Sequence, residues 1–130
     1  LVVTSPPFLD VVQYTTDNWL RCWFLRIDPA SVSIAMHKKP DEWADFIHQV
    51  FKELGRVVRP GGHIAFEVGE VRNGSVELES LVLEAIEGLP FSPLCVVVNS
   101  QKFTKTSNCW GIKNNNRGTN TNRVVLVRRQ

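Results

Sequence analysis

The chain has 130 residues, of which 43% are apolar and 22% are charged, and its formal net charge is +2. This composition is typical of one soluble globular domain and excludes a disordered tail, a collagen-like chain and a coiled coil. No apolar run approaches the roughly 20 residues of a membrane-spanning helix, and the first residues lack a signal-peptide pattern, so a cytoplasmic location is expected. Cys22, Cys95 and Cys109 form no C-x-x-C pair and are predicted to be reduced, buried thiols rather than metal ligands.

Charge is distributed unevenly along the chain. Residues 1–87 hold all 13 acids and eight Lys or Arg, whereas residues 88–130 hold seven Lys or Arg and no acid. Because Lys and Arg release counterions when they bind phosphates, the basic segment suggests contact with a polyanion. A solvated basic surface without a partner fits the same charges equally well.

The beginning of the chain predicts a strand, a sharp corner and a helical region. Residues 1–4 form an apolar, β-branched run, and because Leu1 already lies inside it we expect the chain to be a piece of a longer gene product. Ser5-Pro6-Pro7 ends the strand, since two prolines remove backbone donors. Residues 17–25 are aromatic-rich and are expected to pack against the rest of the chain.

Helices and strands then alternate. Helical spacing of apolar residues predicts a helix over residues 41–58, which a Pro-Gly-Gly turn connects to a strand at 63–68. A helix capped by Ser75 and strands at 94–98 and 123–129 follow. This order predicts a single α/β domain with a mostly parallel sheet, helices on the faces of the sheet and an antiparallel edge strand. The last two strands have no helix between them and fit an antiparallel pair joined by the long polar loop.

The corner after the first strand is a candidate site, because ligands in open α/β sheets bind beyond the carboxyl ends of strands. Thr4-Ser5-Pro6-Pro7-Phe8 combines a hydroxyl, a rigid carbonyl and an aromatic ring. The oxygen of Ser5 and the carbonyl of Pro6 can accept two N–H bonds from an amino group while Phe8 stacks on the ring that carries it. The alternative is a plain turn with Phe8 in the core.

The same residues carry a resemblance to a family. Thr4-Ser5-Pro6-Pro7-Phe8 resembles the TSPPY box of the DNA amino-methyltransferases. Residues 53–62 (ELGRVVRPGG) are similar to that family's E-x-x-R-V-L-K-P-G-G helix end, and residues 120–126 (NTNRVVL) to the start of its last strand. The resemblance covers nearly the whole chain in element order and implies part of a class I methyltransferase (Rossmann-like) sheet.

The family resemblance implies a site-specific enzyme, of the restriction-modification kind, that methylates the exocyclic amine of cytosine or adenine in DNA. Its cofactor is S-adenosyl-L-methionine, which Thr4 and Ser5 would adjoin. The target base would be flipped out of the duplex. Of the implied catalytic residues Ser5, Pro6, Pro7 and Phe8, Ser5 and the Pro6 carbonyl would hold its amino group and Phe8 would stack on it. The serine form of the box favours cytosine over adenine weakly, and it argues against the RNA and protein-glutamine enzymes, which use N-P-P-Y or D-P-P-Y.

The sequence departs from the family pattern in two places. Phe8 replaces a tyrosine, which keeps the stacking surface. No F-x-G-x-G segment exists, so the chain lacks the glycine turn that seats the cofactor. We therefore expect a catalytic half that is inactive alone, with the cofactor half supplied by a second chain or by a missing gene segment before or after it. A non-catalytic nucleic-acid-binding module of the same fold is the alternative.

Other candidates carry less weight. In the polar segment of residues 99–122, we assign DNA contacts to Lys105, Trp110, Lys113 and Arg117, with Trp110 equally well explained as a loop anchor. Asp10, Glu67 and Glu70 are more simply explained as solvated carboxylates than as residues lining the pocket. The three histidines (His37, His48 and His63) are assigned to structure or surface.

Overall fold

The computed structural model describes residues 1–7, 9, 14–69, 71, 75–100 and 121–130. Strands and helices alternate within these residues, as the hydrophobic pattern predicts. The elements are β1 (Val2–Thr4), α1 (Tyr14–Asp17), α2 (Trp19–Leu25), α3 (Pro40–Val57), β2 (His63–Gly69), α4 (Leu78–Ala85), β3 (Phe91–Ser100) and β4 (Thr121–Arg129), with one turn of 3-10 helix at Pro29–Ser31. None of the described helices is long and apolar enough to span a bilayer.

The four strands form one open, mixed sheet in the order β1-β2-β4-β3. Strands β1 and β2 are parallel, whereas β4 is antiparallel to both of its neighbours. The prediction of a mostly parallel sheet is therefore wrong, because two of the three strand pairs are antiparallel. The prediction that the last two strands are antiparallel neighbours is confirmed.

The sequence predicted that the antiparallel strand lies at the edge of the sheet. This is wrong, because β4 lies between β2 and β3. Strand β4 is hydrogen-bonded on both sides, and its core-facing residues Val125 and Val127 are fully buried. Strand β3 takes the edge. It contains Pro93, a residue that lacks a backbone donor, and the register shifts between Pro93 and Cys95.

Helix α3 supplies most of the helical contribution to the core. Pro40 stands at its first position, where the missing N–H is not needed, and Asp41 and Glu42 lie in the first turn. Its buried residues recur every four positions and form one stripe: Trp43, Ile47, Phe51 and Gly55. The ring of Phe51 packs against the rings of Phe66 and Phe91, with centroids 4.9 and 5.5 Å apart.

Both long helices pack on the same face of the sheet, whereas helices on both faces were expected. Ile64, Phe66 and Val68 of β2 point to this face, and His48 Nδ1 lies 2.7 Å from the Ala85 carbonyl oxygen, which links α3 to α4. The cause is the strand order. The crossovers from β1 to β2 and from β2 to β3 advance in the same direction across the sheet, and right-handed crossovers that do so leave their helices on one side.

The Pro60-Gly61-Gly62 turn lies at the amino end of β2. Gly61 has φ +77°, and its N–H donates to the Arg129 carbonyl at 2.9 Å. A Cβ on Gly62 would lie 2.6 Å from Cγ1 of Val58 and 2.8 Å from the Arg59 carbonyl oxygen. The turn therefore has a structural role. It connects α3 to β2, and its hydrogen bond to Arg129 fixes the end of β4.

Three smaller predictions are wrong. Ser75 does not cap α4, which begins at Leu78 and has no side-chain cap hydrogen bond from Glu77. Helix α2 does not pack into the core: it has no buried residue, and Trp23 is 66% exposed. Cys95 is an exposed free thiol rather than a buried one, because none of the described helices covers its side of the sheet. Cys22 is half-buried, and Cys109 lies outside the described residues.

Candidate functional site

The Ser5-Pro6-Pro7 corner follows β1 at the carboxyl edge of the sheet. Thr4 and Ser5 are exposed, Pro6 is buried and Pro7 is half-buried. The indole Nε1–H of Trp43 donates to the carbonyl of Pro7 at 2.9 Å, and Trp43 is itself buried at the start of α3. The corner is therefore fixed by a buried residue of the core, while Ser5 is exposed to solvent. Phe8 and Asp10 lie outside the described residues.

The parallel register brings the corner beside the end of β2. Thr4 pairs with Phe66, so Ser5, one residue further on, is level with Glu67. Glu67 is half-buried and Gly69 is buried, whereas Glu70 lies outside the described residues. Two strands thus end close together at this edge, which is the place where open α/β sheets bind ligands.

A cavity of about 380 Å³ adjoins the corner. Pro7 forms one part of its wall, and α1, α2 and the chain that follows them form the rest (Thr15, Asn18, Arg21, Cys22, Leu25, Ile27, Pro29, Val32 and Ile34). The lining is mainly apolar. Its charged group is the guanidinium of Arg21, which donates through Nη1 to Oδ1 of Asn18 at 2.6 Å. A volume of this size suits a small planar ligand, since ligand pockets span roughly 300–1,000 Å³.

Sequence reasoning located the corner but missed the cavity. Its lining residues in α2 and at 27–34 show no clear helical or strand period, so no pattern set them apart. The usable signal was the run of large apolar residues in α2, which is too short a helix to bury them all: Trp23 and Phe24 are 66% and 72% exposed and contact each other edge to face. Neighbouring exposed apolar side chains on a short helix are a useful indication of a binding surface.

The predicted DNA-contacting residues cannot be compared with the structure directly. Lys105, Trp110, Lys113 and Arg117 lie outside the described residues. The residues that flank their segment, Ser100 and Thr121, pair with each other next to the Asn99–Asn122 pair, and Asn122 also pairs with Gly69. The segment therefore leaves and re-enters the sheet at the edge that carries the corner.

Two basic residues of β4 lie at opposite ends of the sheet. Arg123 pairs with Val68 near the carboxyl end of β2, where its Nε is 2.6 Å from Oε1 of Glu79 on α4 in an ion pair largely shielded from solvent. Arg128 pairs with His63 at the amino end of β2, the opposite end of the strands from the corner. Neither residue therefore lies exposed beside the corner.

The Gly61-Gly62 turn does not match the glycine turn that the resemblance implies for S-adenosyl-L-methionine. In open α/β sheets, ligands bind beyond the carboxyl ends of the strands. The Gly61-Gly62 turn is at the amino end of β2 and is tied to β4. No cluster of three or more metal-binding side chains occurs among the described residues either.

Comparison with known proteins adds no assignment: no family model, curated protein or solved structure matches the chain.

Proposed function

We propose that this chain is the base-binding, catalytic half of a methyltransferase that acts on the exocyclic amino group of cytosine or adenine in DNA. The observation that carries the proposal is the placement of Ser5-Pro6-Pro7. The corner stands at the carboxyl end of a parallel strand, is anchored through Trp43, and adjoins a cavity large enough for a nucleobase. A motif of the same composition inside the core would offer no such site.

Each residue of the corner has a specific task in this proposal. The hydroxyl oxygen of Ser5 and the carbonyl oxygen of Pro6 accept the two N–H bonds of the amino group and so orient its nitrogen. The Pro7 carbonyl is engaged by Trp43 and keeps the corner rigid. Rigid acceptors lower the barrier by positioning, because no reorganisation is needed when the base arrives. Stacking by Phe8 belongs to the proposal through the family resemblance.

In this proposal, S-adenosyl-L-methionine is bound by residues other than the described ones. Because the Gly61-Gly62 turn does not match the glycine turn implied for it, we assign it to a second chain or to a further segment of the gene product, and no step is derived through it. The part of the reaction that belongs to this chain is recognition and orientation of the amino-bearing base.

A second function, a nucleic-acid-binding module without catalysis, is favoured by one observation. The described residues keep the corner, the cavity and the exit of the basic segment at one edge, yet their Gly61-Gly62 turn lies at the opposite end of the strands. Such a module would bind duplex DNA through the basic segment, and its affinity would not depend on the amino group of any single base.

Titration of the isotopically labelled chain with nucleosides separates the two functions. Deoxycytidine and deoxyadenosine carry the amino group, and deoxyuridine and deoxyinosine carry an oxygen in its place. We expect the amino-bearing pair to shift the amide resonances of Ser5, Arg21 and Cys22, and the other pair to shift them less. Equal shifts by all four nucleosides, or shifts confined to the amino edge at His63, would contradict base recognition at the corner.

A further inference from the structure

The second face of the sheet carries apolar side chains in a regular pattern. Strand register places Val3, Ala65, Leu126 and Cys95 in one row across all four strands. Val124 and Val97 form a second, shorter row beside it. These six residues, here called the open face, alternate with the core residues of the same strands, so they point away from α3 and α4.

The open face is accessible over most of its width. Val3 on β1 is 73% exposed, and on β3 Val97 is 53% exposed and Cys95 is also exposed. The open-face residues of the two central strands are half-buried. An antiparallel sheet often leaves one face to solvent, but that face then carries polar side chains, whereas a contiguous exposed apolar patch is typical of an interaction surface. The apolar pattern therefore favours an occupant whose surface is also apolar.

Charges at the two ends of the open face indicate which occupant fits. Glu67 lies on this side of β2 at the carboxyl end. His63 lies four residues earlier on the same side, and it pairs directly with Arg128 of β4. The face is thus acidic at one end, basic at the other and apolar between them.

We propose that the open face binds a second copy of this chain, sheet against sheet, about a two-fold axis. An axis lying in the interface, perpendicular to the strands and passing through the Ala65–Leu126 row, superimposes the apolar row on itself. It also sets Glu67 of each copy opposite His63 and Arg128 of its partner. Stacked sheets lie about 10 Å apart, a distance that apolar side chains from both faces fill. Such an interface is self-complementary, as two-fold symmetry demands, and the proposal does not depend on the function proposed above.

Sedimentation equilibrium of the whole 130-residue chain tests the proposal. The wild-type chain is expected to be a dimer, and Val97→Lys is expected to raise the dimer dissociation constant by at least about tenfold. Val57→Lys is the matched control, because Val57 is 59% exposed but lies at the end of α3 on the other side of the sheet. Circular dichroism confirms that each variant is folded. A monomeric wild-type chain, or equal weakening by both variants, would overturn the proposal.

Charge reversal tests the orientation of the two copies. Glu67→Lys is expected to weaken the dimer by placing like charges opposite each other, and Glu67→Lys combined with Arg128→Glu is expected to restore it. The thiol of Cys95 reports on the same face in a chain carrying Cys22→Ser and Cys109→Ser. Its rate of alkylation should fall as the protein concentration rises and the dimer forms. A dimer in which Cys95 reacts at the same rate at every concentration would show that the copies meet elsewhere.

Discussion

Trp43 connects the core to the candidate site through a single hydrogen bond. Trp43→Phe keeps an aromatic ring in the core but removes the Nε1–H that holds the Pro7 carbonyl. We expect the free energy of unfolding to fall by about 1–3 kcal/mol, the usual consequence of leaving a shielded polar group without its partner. Urea denaturation measures the change. Trp19→Phe is the control, because Trp19 is largely exposed and should change stability by less than about 0.5 kcal/mol.

Gly62 is required by space rather than by backbone conformation. A Cβ there would lie 2.6 Å from Cγ1 of Val58, a buried side chain that has little room to move. Gly62→Ala is expected to destabilise the chain by about 1–3 kcal/mol, as overpacking of a filled site does. Thermal unfolding measures this effect, and Ser33→Ala at an exposed position serves as the reference. A Gly62→Ala chain as stable as the reference would show that the turn can shift without loss.

At the scale of elements, the Glu79–Arg123 pair fixes α4 to β4. The exposed fractions of these side chains are 17% and 21%, whereas those of the Glu42–Lys39 pair are 52% and 75%. Glu79→Gln is therefore expected to reduce stability by about 1.5–3 kcal/mol, the range for a hydrogen bond to a charged group. Glu42→Gln should have less than about 1 kcal/mol of effect, because solvent screens an exposed pair. Equal losses in the two variants would contradict this difference.

The elements also show where prediction from sequence succeeds. Helix α3 and strand β2 carry their burial pattern in their own residues, so periodicity located both within one or two positions. Helix α2 is predicted to pack because its residues are apolar. It has only seven residues and does not cover the sheet, so none of them is buried. The corner was recognised from local chemistry, whereas the cavity depends on how α1, α2 and residues 27–34 fold together, which no local pattern encodes.

At the scale of the whole molecule, the sheet order depends on contacts between distant residues. Strand β4 ends the chain yet pairs with β2 and β3, and its core-facing residues Val125 and Val127 are fully buried. The sequence predicted that β4 is a strand and an antiparallel neighbour of β3, but not that it also pairs with β2. The same order places both long helices on one face, so the fold class was predictable while the number of covered faces was not.

Contact between DNA and the basic segment at the carboxyl edge remains a prediction, which a DNA-binding measurement can test. Replacing Lys105, Lys113 and Arg117 by Ala should weaken binding to duplex DNA and flatten its dependence on salt. The slope of log K against log salt should decrease by about 0.9 for each phosphate that the variant no longer neutralises. The control variant has Lys38, Lys52 and Arg59 replaced by Ala. It removes the same positive charge from residues 1–87 and should leave the slope nearly unchanged. An unchanged slope in the first variant would show that these three residues do not neutralise DNA phosphates.

The proposed function rests on the claim that Ser5 recognises an amino group. The measurement that tests it most directly is the ratio of the dissociation constants of deoxyuridine and deoxycytidine, for the wild-type chain and for Ser5→Ala. Ser80→Ala is the control, because Ser80 Oγ donates to Glu77 on α4, away from the corner. Removal of one neutral hydrogen bond should lower the ratio by roughly 2- to 12-fold in Ser5→Ala, with deoxyuridine affinity and the Ser80→Ala ratio unchanged. A ratio that is the same in all three chains would contradict recognition of the amino group by Ser5.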